Sequence, residues 1–596
     1  MSNSEKNKIL FENLINRLLL GEVTGKYSLP GVITDEERNA LLFAEQLIAE
    51  AQPAAVPQTE SVQNPLLSAE AQTPPQVDVA TVVEAVSAVA TKSPVISESD
   101  SADIVEQVLS SQGIEALLDT TVLEPDNFLP NIKLGLDFGT AYSKACMVKV
   151  ENGEENILDL PLGIYAGEDA LEMPVNSSLF IDPDGRLYFG PIAVEKSLDA
   201  RAAGAKVSRI DSIKSFLIDE NRVTIDDSPL PKIYNPTDTD VSKAALLTFY
   251  LGYLLYLVRE AAIDRHNVDI SIIQRRISLP CYEPNHRIKV IKEISKLFSL
   301  GEVLGKSFRE EWESGFRIED VMYLYDWMRQ NINKNSPYIE CYLEEPLAVA
   351  GSRLGINGAS LGNVCMIVDV GAGTTDFTMF EIYADAKKDH SIAKEVKGSE
   401  YGVAVAGDKL DKILLAYILK DAGISRSNEN YKEVLLSLRL DIRDYKEKLF
   451  RFNILTYALS GAITGQIKLS DFMQEKTVKD FSQELRNAFV HVLSTIHPSW
   501  IKTKIRQKNT QSKLPIILTG GGANLPMVRN LAKGTIEVHG YPVQLFLSPA
   551  VPKWIEDEYE GEIIELYPQM AVALGSAKDY VIEKTGVQEE YVQTLL

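Results

Sequence analysis

The residues most able to do chemistry in this chain are Asp137 and Asp369, each of which ends an apolar run and opens a glycine loop. The two segments are Leu134-Gly135-Leu136-Asp137-Phe138-Gly139-Thr140-Ala141-Tyr142-Ser143 and Met366-Ile367-Val368-Asp369-Val370-Gly371-Ala372-Gly373-Thr374-Thr375-Asp376. Each reads as a buried strand, a tight turn and a return strand, the second return strand opening on Phe377, Met379 and Phe380. Glycine lets the backbone approach an anion with no Cβ in the way, and successive N–H groups there make a concavity that suits phosphate. The aspartate offers a hard oxygen where Mg²⁺ with its waters would sit between the loops. One such loop is often only a turn; two imply duplicated lobes that hold one nucleotide from both sides.

The elements that must position these groups are also legible. Pro515-Ile516-Ile517-Leu518-Thr519-Gly520-Gly521-Gly522 is another apolar strand running into glycines, with a helix expected through Met527, Val528 and Leu531. Glycines at that junction let a flat ring or sugar lie against the backbone. Glu344-Glu345-Pro346-Leu347-Ala348-Val349-Ala350-Gly351 and Ala571-Val572-Ala573-Leu574-Gly575-Ser576-Ala577 are rich in small residues, which suits helices that pack closely where two lobes cross.

These five segments, in this order, resemble the phosphate 1, connect 1, phosphate 2, adenosine and connect 2 motifs of the actin/sugar-kinase/heat-shock ATPase superfamily. Within it, Gly139-Thr140-Ala141-Tyr142-Ser143, Ile277-Ser278-Leu279-Pro280-Cys281-Tyr282 and Ala406-Gly407-Asp408-Lys409-Leu410-Asp411 look like segments of the DnaK-type 70-kDa heat-shock chaperones. The similarity spans about Ile132 to Asp579. It implies an α/β, two-lobed actin-like ATPase fold built from duplicated ribonuclease-H-like subdomains, with lobe I at 131–355 and 547–580 and lobe II at 356–546. It further implies ATP and ADP as ligands, Mg²⁺ as the metal, and slow hydrolysis in which lobe closure regulates a protein partner.

Residue by residue, the resemblance gives Asp137 and Asp369 the metal, and Lys214 in Ser212-Ile213-Lys214-Ser215-Phe216-Leu217 a place beside the γ-phosphate. Glu345 matches the acid that positions metal-bound water, and Asp376 the aspartate that orients the nucleophile. Gly139, Thr140, Ala141, Tyr142, Gly371, Gly373, Thr374, Thr375, Gly407, Lys446, Gly520, Gly521 and Gly522 match nucleotide-binding positions. The chain departs from the pattern at Ala372, which replaces a loop glycine, and at Glu447 and Asn524, which replace two arginines that stack on the base; weaker nucleotide affinity follows from that loss. Gln569 stands where the chaperones carry an acid. Polymerising actin homologues, small-molecule kinases and a nucleotide-binding scaffold without turnover are the rival readings.

Composition sets the remaining bounds. The chain has 596 residues, 45% of them hydrophobic, enough for several cores. A net charge of −24 argues against nucleic-acid and anionic-membrane partners. The four cysteines, Cys146, Cys281, Cys341 and Cys365, form no CxxC pair, and the six histidines lack ligand spacing. The longest apolar stretch, about Ala244 to Val258, is too short to span a bilayer, and no secretory signal is evident, so the cytoplasm is expected.

The N-terminal region reads differently. Ile9, Leu10, Phe11, Leu14, Ile15, Leu18 and Leu19 mark one helix face, and Thr34-Asp35-Glu36-Glu37 starts a second helix through Leu41, Leu42, Leu47 and Ile48, together a helical element over 1–51. Residues 52–126 read as a disordered, low-complexity linker with a weak helix at about Asp103 to Leu118. The helix faces suit docking on a protein partner. Residues 581–596 read as a short tail, too short for the β-sandwich that holds peptide in the chaperones.

Overall fold

The first apolar run, Ile132–Asp137, forms strand β1, and the residues after its loop return as β2, Tyr142–Glu151, and β3, Glu154–Leu160. In the computed structural model, residues 113–583 are described apart from 167–171, 218–228, 283, 355–362, 386–389, 460–462, 506–511, 560–561 and 579–580. The helical element expected over 1–51 and the expected linker as far as residue 112 lie outside the described residues. All described residues fall in one compact unit, Ser97–Leu596.

Strands β4, Gln274–Leu279, and β5, Ile339–Glu344, complete the first sheet in the order β3-β2-β1-β4-β5, with the short Val175–Asn176 pairing on β2. Here β2 is antiparallel to both of its long neighbours, while β4 and β5 run parallel to β1.

The second sheet repeats this arrangement. Its strands are β6 Asn363–Val370, β7 Thr375–Asp385, β8 His390–Glu395, β9 Tyr401–Val403, β10 Ser512–Thr519, β11 Thr535–Val538, β12 Tyr541–Leu547 and β13 Val581–Glu583. The five central ones lie in the order β8-β7-β6-β10-β12, with β7 antiparallel to β6 and β8, and β10 and β12 parallel to β6. Counting these five in chain order, both sheets read third, second, first, fourth, fifth, with the same directions. Mixed α/β architecture with several sheets is therefore established. Strand β13, within the stretch expected to be a tail, pairs in parallel with β8 instead.

Period-two side-chain alternation sorts each strand between two cores. Val364, Met366, Val368 and Val370 of β6 enter the core shared with α5 (Gly407–Asp421), α6 (Tyr431–Phe452) and α7 (Lys476–Thr495), while Cys365 and Ile367 enter the core between the sheets. Ala145 and Met147 of β2 enter the outer core of the first sheet, while Cys146 and Val148 point to the central one. That outer core includes α2, Lys243–His266, whose 24 residues are apolar on nearly every side. By length and composition α2 is apolar enough to cross a membrane, which exceeds the expectation from sequence; 89% of its most apolar window is buried against the rest of the protein.

The central core holds two helices that follow the fifth strand of each sheet: α4, Glu345–Ser352, and α8, Glu562–Ala577. The third helix of the first sheet, α3, Pro284–Ser307, covers α2, and α1, Gly190–Ala202, lies on the Leu179–Phe189 hairpin. At the closest approach of α8 and α4, a Cβ on Gly575 would lie 1.7 Å from the Ala348 carbonyl oxygen. The small-residue runs are thus what lets these helices meet.

Residues 113–126, expected to be linker, carry two single-turn helices, Ile114–Leu117 and Thr120–Leu123. Val122 and Leu123 are buried in the first core, and the Tyr338 hydroxyl donates to the Val122 carbonyl. The Asp119 N–H donates to Ser307 Oγ at 2.8 Å.

Candidate functional site

The carboxyl ends of β1 and β6 bring Asp137 and Asp369 into one electrostatic neighbourhood, as expected for ligand sites in parallel sheets. Asp137 is nearly buried at the end of β1, and Lys144 Nζ donates to its Oδ2 at 2.9 Å. The first loop is tied down by Ser177, whose hydroxyl donates to the Gly139 carbonyl at 2.7 Å and whose N–H donates to the Ala141 carbonyl at 2.9 Å. Thr140 lies buried in this loop, and Tyr142 opens β2.

The second loop closes on itself where the Gly371 N–H donates to the Thr374 carbonyl at 2.9 Å. The Thr374 hydroxyl donates to Asp376 Oδ2 at 2.8 Å, and the Cys281 N–H to Asp376 Oδ1 at 2.9 Å. Thr375 is turned away: its side chain is fully buried and its hydroxyl donates to the Val405 carbonyl at 2.7 Å. Ala372 and Gly373 form a half-buried bend, against which α5 abuts through Gly407.

The third loop leans on the end of β6. Gly520 has φ +80°, and a Cβ there would lie 2.3 Å from Asp369 Oδ1, so only glycine fits. The Gly522 N–H donates to the Val370 carbonyl at 2.9 Å, while a Cβ on Gly521 would meet nothing within 4 Å. Lys446 on α6 lies 2.9 Å from Asp411 Oδ1 and donates to the Gly407 carbonyl at 3.3 Å.

Lys214, on the one-turn helix Ile213–Leu217, is 1% exposed, and its Nζ lies 2.5 Å from Glu345 Oε1 at the start of α4. The site thus holds four carboxylates, Asp137, Glu345, Asp369 and Asp376, against the ammonium groups of Lys144 and Lys214. Burial pushes the Asp369 carboxyl far above its usual range, and the charges of Glu345, Asp376 and Asp137 push it the same way. Asp376 rises to about 7, from burial first and Glu345 next, against the bonds from Cys281 and Thr374. Burial pulls the Lys144 ammonium down, but Asp137, Asp369 and Glu345 reverse that and leave it raised.

A surplus of buried negative charge is what a hard divalent cation with oxygen ligands offsets, so Asp137 and Asp369 fit Mg²⁺ as donors. Opposite them, the Tyr142 phenol is raised by burial and then by Glu447 of α6, which places the first loop near that helix.

Sequence reading did not single out Lys144, Ser212, Asp408 or Arg443. Lys144 had a usable signal: a tight turn after Asp137 puts the residue seven places on directly opposite it, and the register pairs the two. The others could not be found, because their partners come from distant parts of the chain. No protein-family model matches this chain, and no curated protein matches it as a relative.

Proposed function

We propose that the protein binds Mg·ATP between its two sheets and hydrolyses it slowly, as a two-lobed actin-like ATPase of the heat-shock-chaperone kind. One observation carries the reading: the two sheets share one strand order, and each has an aspartate at the carboxyl end of its first strand (Asp137 last in β1, Asp369 next to last in β6) before a glycine loop, with both aspartates in one charged cluster. Duplicated halves with facing loops suit a ligand that both must touch.

On this reading the N–H groups of Gly139–Tyr142 and Ala372–Thr374 hold the β- and γ-phosphates from opposite sides. Gly520–Gly522 and α6, with Lys446, border the nucleoside. Mg²⁺, held through Asp137 and Asp369, supplies charge neutralisation when bound. Lys214 stabilises charge that develops on the γ-phosphoryl oxygens, and Glu345 holds that lysine in place. Asp376, titrating near neutrality, orients the attacking water and exchanges a proton with it. ATP bridges both loops and ADP loses the γ-phosphate bridge, so turnover biases closure, which a protein partner in the cytoplasm senses.

The test is titration calorimetry with ATP and ADP in Mg²⁺, alongside phosphate release. Binding that needs Mg²⁺, with slow release of phosphate, is the expected result. No binding at millimolar ATP would sink the reading.

A further inference from the structure

We propose that Asp408, Ser212 and Arg443 form a clamp that seats Lys214, so that the state of the second glycine loop sets the position of the catalytic ammonium. The inference rests on the ATPase reading above and concerns how that site is regulated. Lys214 is carried by the turn Ile213–Leu217, which directly follows Asp211-Ser212. The Asp211 carboxylate is fixed on its own side, accepting from Ser178 Oγ at 2.7 Å and Arg209 Nε at 2.5 Å.

Ser212 reaches across to the second sheet's helices. Its hydroxyl donates to Asp408 Oδ2 at 3.0 Å and accepts from Arg443 Nη2 at 3.3 Å. Arg443 Nη1 donates to the Asp211 carbonyl at 3.2 Å, and its Nη2 also reaches Asp408 Oδ1 at 3.4 Å. Asp408 is itself bound to the loop: its N–H donates to the Ala372 carbonyl at 2.7 Å, and the Gly407 N–H to the Gly371 carbonyl at 3.2 Å.

A continuous set of bonds therefore runs from Gly371-Ala372 through Asp408 to Ser212, two residues before Lys214, whose far end is held by Glu345. Charge-assisted bonds in a partly buried place are strong and directional. Arg201 Nη1, 2.8 Å from Asp441 Oδ2, and Arg209 Nη2, which donates to the Leu440 carbonyl at 3.3 Å, extend the same contact along α6. Catalytic groups must be held to a fraction of an ångström, and a shift of about 1 Å costs roughly 100-fold in rate. Asp408, Ser212 and Arg443 are thus positioning residues, and Lys214 is the group they position.

The experiment measures single-turnover ATP hydrolysis and nucleotide affinity separately on the full chain carrying Ser212→Ala, Asp408→Asn or Lys214→Ala, and on the double variants. Ser212→Ala and Asp408→Asn are each expected to slow the single-turnover rate by about 10- to 100-fold with affinity unchanged. Their combination is expected to be no slower than either alone, because both break one clamp. In the Lys214→Ala background, Ser212→Ala is expected to change nothing, because no ammonium remains to be placed; a merely structural role would still be felt there. Additive losses, lost affinity with an unchanged rate, or a further fall in the Lys214→Ala background each overturn the clamp. Should Asp408→Asn not fold, Ser212→Ala, which removes one oxygen, carries the test alone with Lys214→Ala. A wild-type protein that binds ATP without hydrolysing it overturns the ATPase reading and the clamp together, whereas hydrolysis with additive variants overturns the clamp only.

Discussion

Lys144 and Asp376 occupy equivalent places in the two sheets. Lys144 lies opposite Asp137 in the β1–β2 pair, and Asp376 lies opposite Asp369 in the β6–β7 pair. The same hairpin thus pairs an aspartate with a cation in the first sheet and with another carboxylate in the second. Burial raises the carboxyls of both Asp369 and Asp376, and the charge of Glu345 raises both further.

That asymmetry sets a pH dependence. Asp376, and Asp369 in the same direction, bind protons more tightly in the folded protein than in the unfolded chain. Between the unfolded value of 3.8 and the folded value of about 7 for Asp376, the native state therefore holds more protons, and stability falls as pH rises through that window. Every tenfold difference in proton affinity between the two states corresponds to about 1.4 kcal/mol at most. A bound divalent cation removes the repulsion, so Mg²⁺ is expected to raise the melting temperature at pH 8 and to do little at pH 5. Thermal melts across that range with and without Mg²⁺ check this, and an equal rise at both pH values contradicts it.

Replacing Lys214 removes a nearly buried cation from the proposed γ-phosphate side. Lys214→Ala is expected to keep nucleotide affinity and lower the chemical step by about 100-fold or more. Single-turnover kinetics read this directly, and unchanged turnover means the lysine has another role.

Two glycines should respond in opposite ways. Gly575→Val drives a branched side chain into the Ala348 backbone, where even a Cβ would sit 1.7 Å from the carbonyl oxygen. Overpacking costs about 1–3 kcal/mol in side-chain cores, and a backbone obstacle yields less, so the loss should lie at the upper end. Gly521→Ala, whose Cβ meets nothing within 4 Å, is expected to leave stability unchanged. Denaturant unfolding of both variants separates the tight helix crossing at Gly575 from the open loop at Gly521.

Residues 113–129 pack on the first core. A chain starting at residue 113 is expected to fold and to lose a protein partner, while a chain starting at 130 should be destabilised by about 3 kcal/mol or more, because Val122 and Leu123 leave the first core. Phe128 also goes, and with it the edge-to-face contact with Tyr338 at 5.8 Å. Denaturant midpoints of the two chains, and the proteins that co-purify with each against full length, are the measurements.

Assembly separates the chaperone-like reading from the filament-forming one. Micromolar protein with Mg·ATP is expected to stay in the supernatant on high-speed sedimentation. Nucleotide-dependent pelleting would favour an actin-like filament.

The sequence by itself determined the local parts: which apolar runs are strands, that Asp137 and Asp369 lie at the carboxyl end of the first strand of each sheet, and that small residues at Ala348 and Gly575 mark close packing. Those signals are local, because alternation, glycine and side-chain size act within a few residues of where they are written. Tertiary structure alone decided what crosses between distant segments. It paired Lys214 with Glu345, put Ser212 against Asp408 and Arg443, and placed residues 113–126 on the core rather than in a linker. It also made Val581–Glu583 an edge strand instead of a tail. A three-residue strand gains its stability from the neighbour it pairs with, and a charged side chain from the partner it finds. Neither partner is adjacent in sequence, so neither outcome is readable until the chain has folded back on itself.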